Sequence, residues 1–357
     1  MKEKIVRFIA LSFKIGVCNL KCPYCYVGQR DGKMNDIPFT IEEMKKAFSK
    51  KRLGGTCFIN ICSDGETLIH PMMPSIIKCF LDEGHYVMVV TNGLLSNKIE
   101  ECLLIKENLD RLFFKLSFHY EEMERIGVLD TFFNNVNMIK KSPCSFTVEY
   151  ITCDETLNEI EKFKSICNEK LGVLPQINMP RRGRASNLGI ESKYTWKKYL
   201  EMWDNTGIDS EFFEFRRQVF GKKYRDFCYA GERMLWIDMS TGYSRQCYST
   251  PDLQNFMGEL DKPVKWLAVG NNCREAHSYV AHTFMTLGIA PFPGYVKYKP
   301  TYDVIRNRIC SDGTEWLKPT YKKAFRYGIS GRNFSDLKKV IINKLNILLK
   351  WKDRLTD

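Results

Sequence analysis

The chain has 357 residues, 54 Lys and Arg against 42 Asp and Glu, and a net charge of +12. With 44% apolar and 27% charged residues it has an ordinary globular composition and length enough for one large domain plus a smaller one, which excludes a disordered or fibrous chain. No apolar run is long enough to span a membrane, and residues 1–14 are broken by Arg7 and Lys14 and lack a cleavage pattern, so the fourteen cysteines are expected in a reducing cytoplasm, where clustered thiols bind metal or act in redox chemistry.

In chain order, six short runs read as strands: residues 5–15, 56–63, 86–91, 112–119, 145–152 and 174–179. Each is rich in Val, Ile, Phe and Thr and nearly continuous in apolar character, as strands buried on both faces are. Helical patterns lie between them. Thr40 and Glu43 form a capping box, Thr156 and Glu159 repeat it ahead of Ile160, and Pro71 and Pro74 suit the first turn of a helix ending near Gly84. Alternating strands and helices predict a parallel sheet of α/β class, and six units predict an open, partial (β/α)6 TIM-like barrel. Cys57, Cys79, Cys102, Cys144 and Cys167 stand alone and read as buried small apolar residues.

In such barrels the site is built by loops leaving the C-terminal ends of the strands. The first carries Cys18-Asn19-Leu20-Lys21-Cys22-Pro23-Tyr24-Cys25, three thiols spaced C-x3-C-x2-C. Four-iron clusters usually take four thiolates, so three ligands leave one iron open for chemistry. The loop resembles the signature of the radical S-adenosylmethionine (radical SAM) enzymes, C-x3-C-x-Φ-C, with Tyr24 at the aromatic position. The resemblance implies a [4Fe-4S] cluster on Cys18, Cys22 and Cys25. It implies S-adenosylmethionine as cofactor, a 5′-deoxyadenosyl radical that takes hydrogen from a substrate, and an external flavodoxin- or ferredoxin-like electron donor.

The second strand ends in Cys62-Ser63-Asp64-Gly65-Glu66-Thr67-Leu68. Residues 64–68 resemble the family's Gly-Gly-Glu-Pro-Leu motif, with Asp64 for a Gly and Thr67 for a Pro. The resemblance implies that Gly65 and Glu66 hold the cofactor's ammonium, that Ser117 holds its ribose, and that Tyr24 packs near its adenine. Asn92, in Thr-Asn-Gly after the third strand, is a further candidate at the cofactor. His119 and Glu149 end strands four and five and are candidates for substrate contact or proton transfer. Arg181, Arg182 and Arg184 leave the sixth strand; Arg clusters bind carboxylate or phosphate, which points to an anionic or carrier-linked substrate.

Residues 186–220 read as helix plus connection. Then Cys228, Gly231, Ile237, Gly242 and Cys247 follow in the pattern C-x2-G-x5-I-x4-G-x4-C. This reads as a hairpin, with a strand over 235–238, whose fold brings the two thiols close. Cys273 is the natural third ligand. The pattern resembles the opening of the twitch and SPASM extensions of radical SAM enzymes and implies one auxiliary iron–sulfur cluster. Its fourth ligand is open between Cys310, His277 and a site left to substrate. A zinc site on the same thiols with one His is the competing reading. From Ser335 a basic helix presents Leu337, Ile341, Leu345 and Leu348 at helical spacing, expected to pack on the core or on a partner.

The expected organisation is a barrel over 1–215, an auxiliary-cluster domain over 216–310 and a basic helical tail over 311–357, which holds eleven Lys and Arg against five Asp and Glu. The chain starts directly at the first strand, so recognition of a leader peptide has no evident home. The reading is a radical SAM enzyme oxidising or modifying a carbohydrate or carrier-linked sugar. A peptide- or protein-modifying maturase is the runner-up. A metal-stabilised basic protein that binds nucleic acid without catalysis is the non-enzymatic alternative, and nucleic acid is not the expected partner.

Overall fold

A computed structural model describes residues 4–25, 27, 32–182, 189–273, 275, 278–329 and 331–353. Strands β1 (Arg7–Phe13), β2 (Cys57–Ser63), β3 (Tyr86–Thr91), β4 (Leu112–Phe118), β5 (Ser145–Ile151) and β6 (Gln176–Asn178) pair side by side in parallel. Helices α1 (Ile41–Ala47), α2 (Lys50–Leu53), α3 (Met73–Asp82), α4 (Ser96–Leu103), α5 (Tyr120–Arg125), α6 (Leu129–Lys140) and α7 (Ile160–Leu171) fill the crossovers. A two-stranded ribbon, β7 (Arg181–Arg182) and β8 (Gly189–Ile190), leads to α8 (Trp196–Asp204) and α9 (Glu211–Val219). This is the α/β barrel-like arrangement that the alternation predicts. The Thr40 capping box also forms, with the Thr40 hydroxyl accepting from Glu43 N and the Glu43 carboxylate from Thr40 N. The second capping box does not form. Thr156 lies inside a 3-10 turn, and its hydroxyl is bonded to Tyr150 and Glu121 instead, so α7 starts at Ile160.

The sheet does not end at β1. Strand β9 (Met234–Asp238) pairs with it in parallel, Phe8 opposite Met234 and Ser12 opposite Asp238, and β10 (Tyr243–Arg245) and β11 (Asp252–Asn255) continue it antiparallel. One nine-stranded sheet therefore runs across the expected boundary at residue 216. The chain finishes with α10 (Ala281–Thr286), α11 (Tyr302–Arg306), α12 (Pro319–Phe325) and α13 (Asp336–Asp353).

Alternation along each strand makes two faces. One face sends Ile9, Leu11, Ile59, Ile61, Val87, Leu116, Phe146 and Val148 into the core beneath α1–α7. The other starts apolar at the strands' N-terminal ends: Phe8, Phe58, Tyr86 and Phe113 pack against Tyr302, Tyr321 and Phe325 of α11 and α12. These helices close the floor of the barrel, so Leu317, Tyr321 and Phe325 from the expected tail are buried there, while Trp316 is buried against Phe146 on the other face. Toward the C-terminal ends the same face turns polar, through Ser12, Cys62, Lys115, Ser117, Glu149 and Asn178. That gradient places chemistry at one end of the sheet. Among the described residues no helix is long and apolar enough to cross a membrane.

Candidate functional site at the mouth of the barrel

The three-thiol loop leaves β1 and is tied to its neighbours at both ends. Gly16 N donates to Asp64 Oδ1 (2.9 Å), Glu66 N to Val17 O (2.9 Å), and Lys21 N to Glu122 Oε1 at the start of α5 (2.9 Å). Cys18 and Cys22 are partly buried, Cys25 is exposed, and all three are free thiols. They lie close enough to act on one another electrostatically: burial, then the neighbouring Cys18, holds the Cys22 thiol up at about 12. Burial likewise raises Cys18, with Glu66 and Cys25 adding to it. Thiols grouped this way resist ionising unless a positive centre joins them, which is what metal ligation supplies.

The β2 loop explains both departures from the family motif. Asp64, in place of a Gly, accepts the Gly16 N–H and so pins the thiol loop. Thr67, in place of a Pro, is buried and shares a hydrogen bond with Ser63 Oγ (3.2 Å). Gly65 has no substitute, since a Cβ there would meet Val17 O at 2.0 Å. Glu66 is buried and its carboxylate accepts from Thr91 Oγ1 (2.5 Å), Asn92 N (2.7 Å) and Leu68 N (3.0 Å). It ties β2 to β3 beside Cys18. Asn92 in turn donates to Asn19 Oδ1 (2.6 Å) and approaches Cys18 Sγ (3.8 Å), so this residue supports the thiol loop directly.

Tyr24 reaches across the mouth. Its hydroxyl bonds His119 Nδ1 (2.9 Å), and the two rings lie 5.8 Å apart. Burial, then Lys115, lowers His119 to about 4, so it is neutral at physiological pH. Glu149 is not the free base that its place at the end of β5 suggests. It is buried, paired with Lys115 Nζ (3.0 Å) and with the buried Arg306, and bonded by Asn178 Nδ2 (3.3 Å). Both basic side chains already hold that carboxylate, so it is not free to take a proton from another group. Ser117 stands half-buried opposite Glu149 in the register of β4 and β5. Lys115, Arg216 and Arg306 are the interior residues that sequence reasoning missed. Only Lys115 carried a signal, as a lone charge inside the apolar run Leu112–Phe118.

The second set of thiols assembles from three separate segments. Cys228, Cys247 and Cys273 line a single cavity of about 540 Å³, with Tyr248, Asn272 and Phe284 among its other walls. Burial, then the neighbouring Cys273, holds Cys228 at about 12, and Cys247 is raised by burial and by both other thiols. Helix α13 braces this cavity. Asn346 Nδ2 donates to Ala268 O (2.8 Å), its Oδ1 accepts from Gln246 Nε2 (3.0 Å), and Asn343 Oδ1 accepts from Asn271 N (3.0 Å). The face of α13 that carries Ile342, Asn343 and Asn346 therefore packs inward. Leu337, Ile341, Leu345 and Leu348, expected to pack, are 44–72% exposed, because Asn343 and Asn346 find backbone partners that leucines cannot use.

Cys310 is not brought to this cavity. It is buried beside Gly172 and Lys140, in the core cluster on the other face of the sheet. His277 and Arg184 lie outside the described residues. Of the other two arginines of that cluster, Arg182 is exposed and pairs with Glu191 (3.1 Å), whereas Arg181 lies over the Tyr279 ring (4.4 Å) and faces the barrel interior. Among the described residues no three His, Cys, Asp or Glu converge tightly enough to hold one metal ion. A four-iron cluster takes one thiolate per iron and asks for a wider spacing. The first loop supplies three free thiols on one short segment, the ligand type that such a cluster takes.

Residues 13–165 match the model of the radical SAM superfamily. The chain carries a radical SAM domain. A radical SAM domain implies S-adenosylmethionine and a four-iron cluster as cofactors. Over 81 residues the chain is 32% identical to 7-carboxy-7-deazaguanine synthase of Aquifex aeolicus (strain VF5), covering 22% of this chain and 33% of that protein. The Haemophilus influenzae synthase is 28% identical over 81 residues, covering 23% and 35%. The match thus spans about a third of the length of these relatives. Among solved structures, anSMEcpe with bound AdoMet superposes with a TM-score of 0.51 at 15% identity, covering 94% of this chain and 99% of that one. Streptococcus suis SuiB bound to S-adenosylmethionine gives 0.50 at 13%, covering 72% of this chain and 65%, just under two thirds, of that one. These two likenesses are of fold. The first, at 94% of this chain, extends past residue 165.

Proposed function

We propose that this chain is a radical SAM enzyme with one catalytic cluster on Cys18, Cys22 and Cys25 and one auxiliary cluster on Cys228, Cys247 and Cys273. The observation that carries the reading is the pairing at the mouth: three thiols on one short loop, locked against Gly65, where no side chain fits. When bound, S-adenosylmethionine and the cluster supply a 5′-deoxyadenosyl radical that abstracts a substrate hydrogen. The chain's residues position and shield. Tyr24 and His119 close one side of the mouth, Asn92 and Glu66 hold the thiol loop on β3, and Lys115, Glu149 and Arg306 fix the interior charge. His119 is neutral and serves as a hydrogen-bonding wall rather than a proton donor. The auxiliary thiols stand in a cavity large enough to admit substrate beside a cluster.

The substrate proposed is a carbohydrate or carrier-linked sugar, supported by the basic residues that line the interior, with a peptide side chain as the second class. The test is iron, sulfide and 5′-deoxyadenosine per chain after anaerobic reconstitution with a reductant. Two clusters and 5′-deoxyadenosine formation are expected. Zinc in place of iron, or no cleavage of S-adenosylmethionine, would overturn the reading.

A further inference from the structure

Between the barrel mouth and α10 the protein gathers four basic side chains, two of them paired with Glu149. Lys115, Arg216 and Arg306 project into this space, and Arg181 reaches it from β7, within electrostatic range of Lys115 and Arg216. Glu149 is already committed to Lys115 and Arg306. Arg216 is 8% exposed, and no Asp or Glu pairs with it among the described residues. Its Nη1 meets His282 Nδ1 (3.3 Å), and its guanidinium lies 5.7 and 5.5 Å from the rings of Phe212 and Phe220. A buried guanidinium without a counter-charge is costly. Ring faces and an imidazole return part of that cost, and a neutral residue would avoid it.

Two further observations point to a ligand. A small cavity of about 10 Å³ opens beside Arg216, lined also by Ser278, Tyr279 and His282, which is room for one oxygen atom. Ser278 and Ala281 line both this opening and the 540 Å³ cavity of the second thiol set. On the interior face of the barrel sheet, Asn60 Oδ1, Thr147 Oγ1 and Asn178 Oδ1 are buried without a hydrogen-bond partner, as is Arg306 Nε. Buried polar atoms are ordinarily satisfied, and four in one interior suggest groups held ready for another molecule.

We propose that an anionic group of the substrate, a carboxylate or a phosphoryl, docks on Arg216 with Arg181 alongside, between the barrel mouth and the second thiol cavity. One oxygen would enter the opening beside His282, and the rest of the substrate would lie toward the mouth, where the radical chemistry is proposed. Calling the bound molecule a substrate rests on the enzyme reading above; the anion site does not. Burial, with Arg181 adding, holds Arg216 down at about 10, still protonated at physiological pH and able to offer its fork to two oxygens.

The test uses the anaerobically reconstituted full chain, with inorganic phosphate and acetate as probes. Thermal unfolding is followed against each anion, with chloride holding ionic strength constant. Wild type, R216Q, R216K and the control R332Q, at an exposed arginine, are compared. A ligand that binds only the folded state raises the midpoint saturably. The expected result is a saturable rise in wild type and R332Q, an affinity at least about tenfold weaker in R216Q, and a several-fold loss in R216K, because an ammonium cannot replace a planar fork. Acetate binding tighter than phosphate assigns a carboxylate, and the reverse a phosphoryl. No saturable rise in wild type, or wild-type affinity in R216Q, overturns the site. If R216Q does not fold, unchanged affinity in R216K overturns it instead. Iron content and 5′-deoxyadenosine formation of the wild type test the enzyme reading separately and do not enter the titration.

Discussion

The two thiol sets are built in opposite ways. Cys18, Cys22 and Cys25 sit on eight consecutive residues, with one thiol exposed, and their loop is held by hydrogen bonds to the Asp64 and Glu122 carboxylates and from Glu66 N. Cys228, Cys247 and Cys273 come from three segments that meet only because β9 joins β1 and α13 ties the connecting loops. A local site tolerates loss of its metal, because its geometry is written in the chain. A site assembled over forty-six positions of sequence depends on tertiary structure, and its metal and its fold should stabilise each other.

The strongest way to break that comparison is to remove each set in turn. Replacing Cys18, Cys22 and Cys25 by Ala should abolish 5′-deoxyadenosine formation and remove one cluster's iron, while the unfolding midpoint moves by less than about 2 °C. Replacing Cys228, Cys247 and Cys273 by Ala should remove the other cluster's iron and lower the midpoint by about 5 °C or more. Iron analysis with calorimetry separates the two. Equal midpoint losses would show that the first loop is no more self-contained than the second.

Gly65→Ala sharpens the account of the first loop. Its Cβ would stand 2.0 Å from Val17 O, a backbone atom that cannot swing aside. The strain should cost about 1–3 kcal/mol and displace the loop, so that iron at the first set falls while iron at the second stays. Wild-type iron content and 5′-deoxyadenosine formation in this variant would show that the two loops do not need each other.

These contrasts also explain what was legible in the sequence. Strands buried on both faces announce themselves as apolar runs: β3 appears at the residues read for it, and the other five core strands within two or three residues of their expected ends. The first thiol set was legible because its spacing alone nearly fixes its geometry. The second was legible as far as the hairpin reached, through Cys228 and Cys247, and Cys273 followed by proximity. Cys310 was not separable from a ligand, because a buried apolar thiol and a ligating one look alike in a chain. Arg216 and Arg306 gave no signal either. Both sit on helices where an arginine ordinarily faces water, and only the fold turns them inward. The floor of the barrel was hidden for the same reason, since a segment with a basic excess also carries Tyr321 and Phe325, and helical spacing does not say what a helix will meet.

His85 offers a pH test of the barrel that leaves both thiol sets alone. It is fully buried, accepting from Cys57 N (3.0 Å) and bonded to Phe48 O (2.7 Å), and burial lowers it to about 4. Unfolded, it titrates near the ordinary 6.5, so between 6.5 and 4 the unfolded state binds the extra proton. Stability should fall as pH drops through that window, by roughly 3 kcal/mol from this group when it is complete. H85Q, which keeps hydrogen-bonding capacity without the titration, should flatten that part of the curve in urea unfolding. An equal pH dependence in H85Q would assign the loss to other groups.

The smallest expected effect probes α13. Asn346 is buried, and its amide both donates to Ala268 O and accepts from Gln246, next to Cys247; Asn343 does the same for the loop before Cys273. N346L keeps the branched shape and removes those bonds, leaving the Ala268 carbonyl without this donor and the Gln246 amide with Leu267 O alone. The cost should be about 1–3 kcal/mol. If α13 positions the second thiol set, iron there should load more slowly and leave faster to a chelator, while iron at Cys18, Cys22 and Cys25 exchanges as in wild type. If α13 merely covers the surface, stability will drop by the same amount with both chelation rates unchanged. The ratio of the two rates, rather than the stability loss, therefore decides whether this helix belongs to the site.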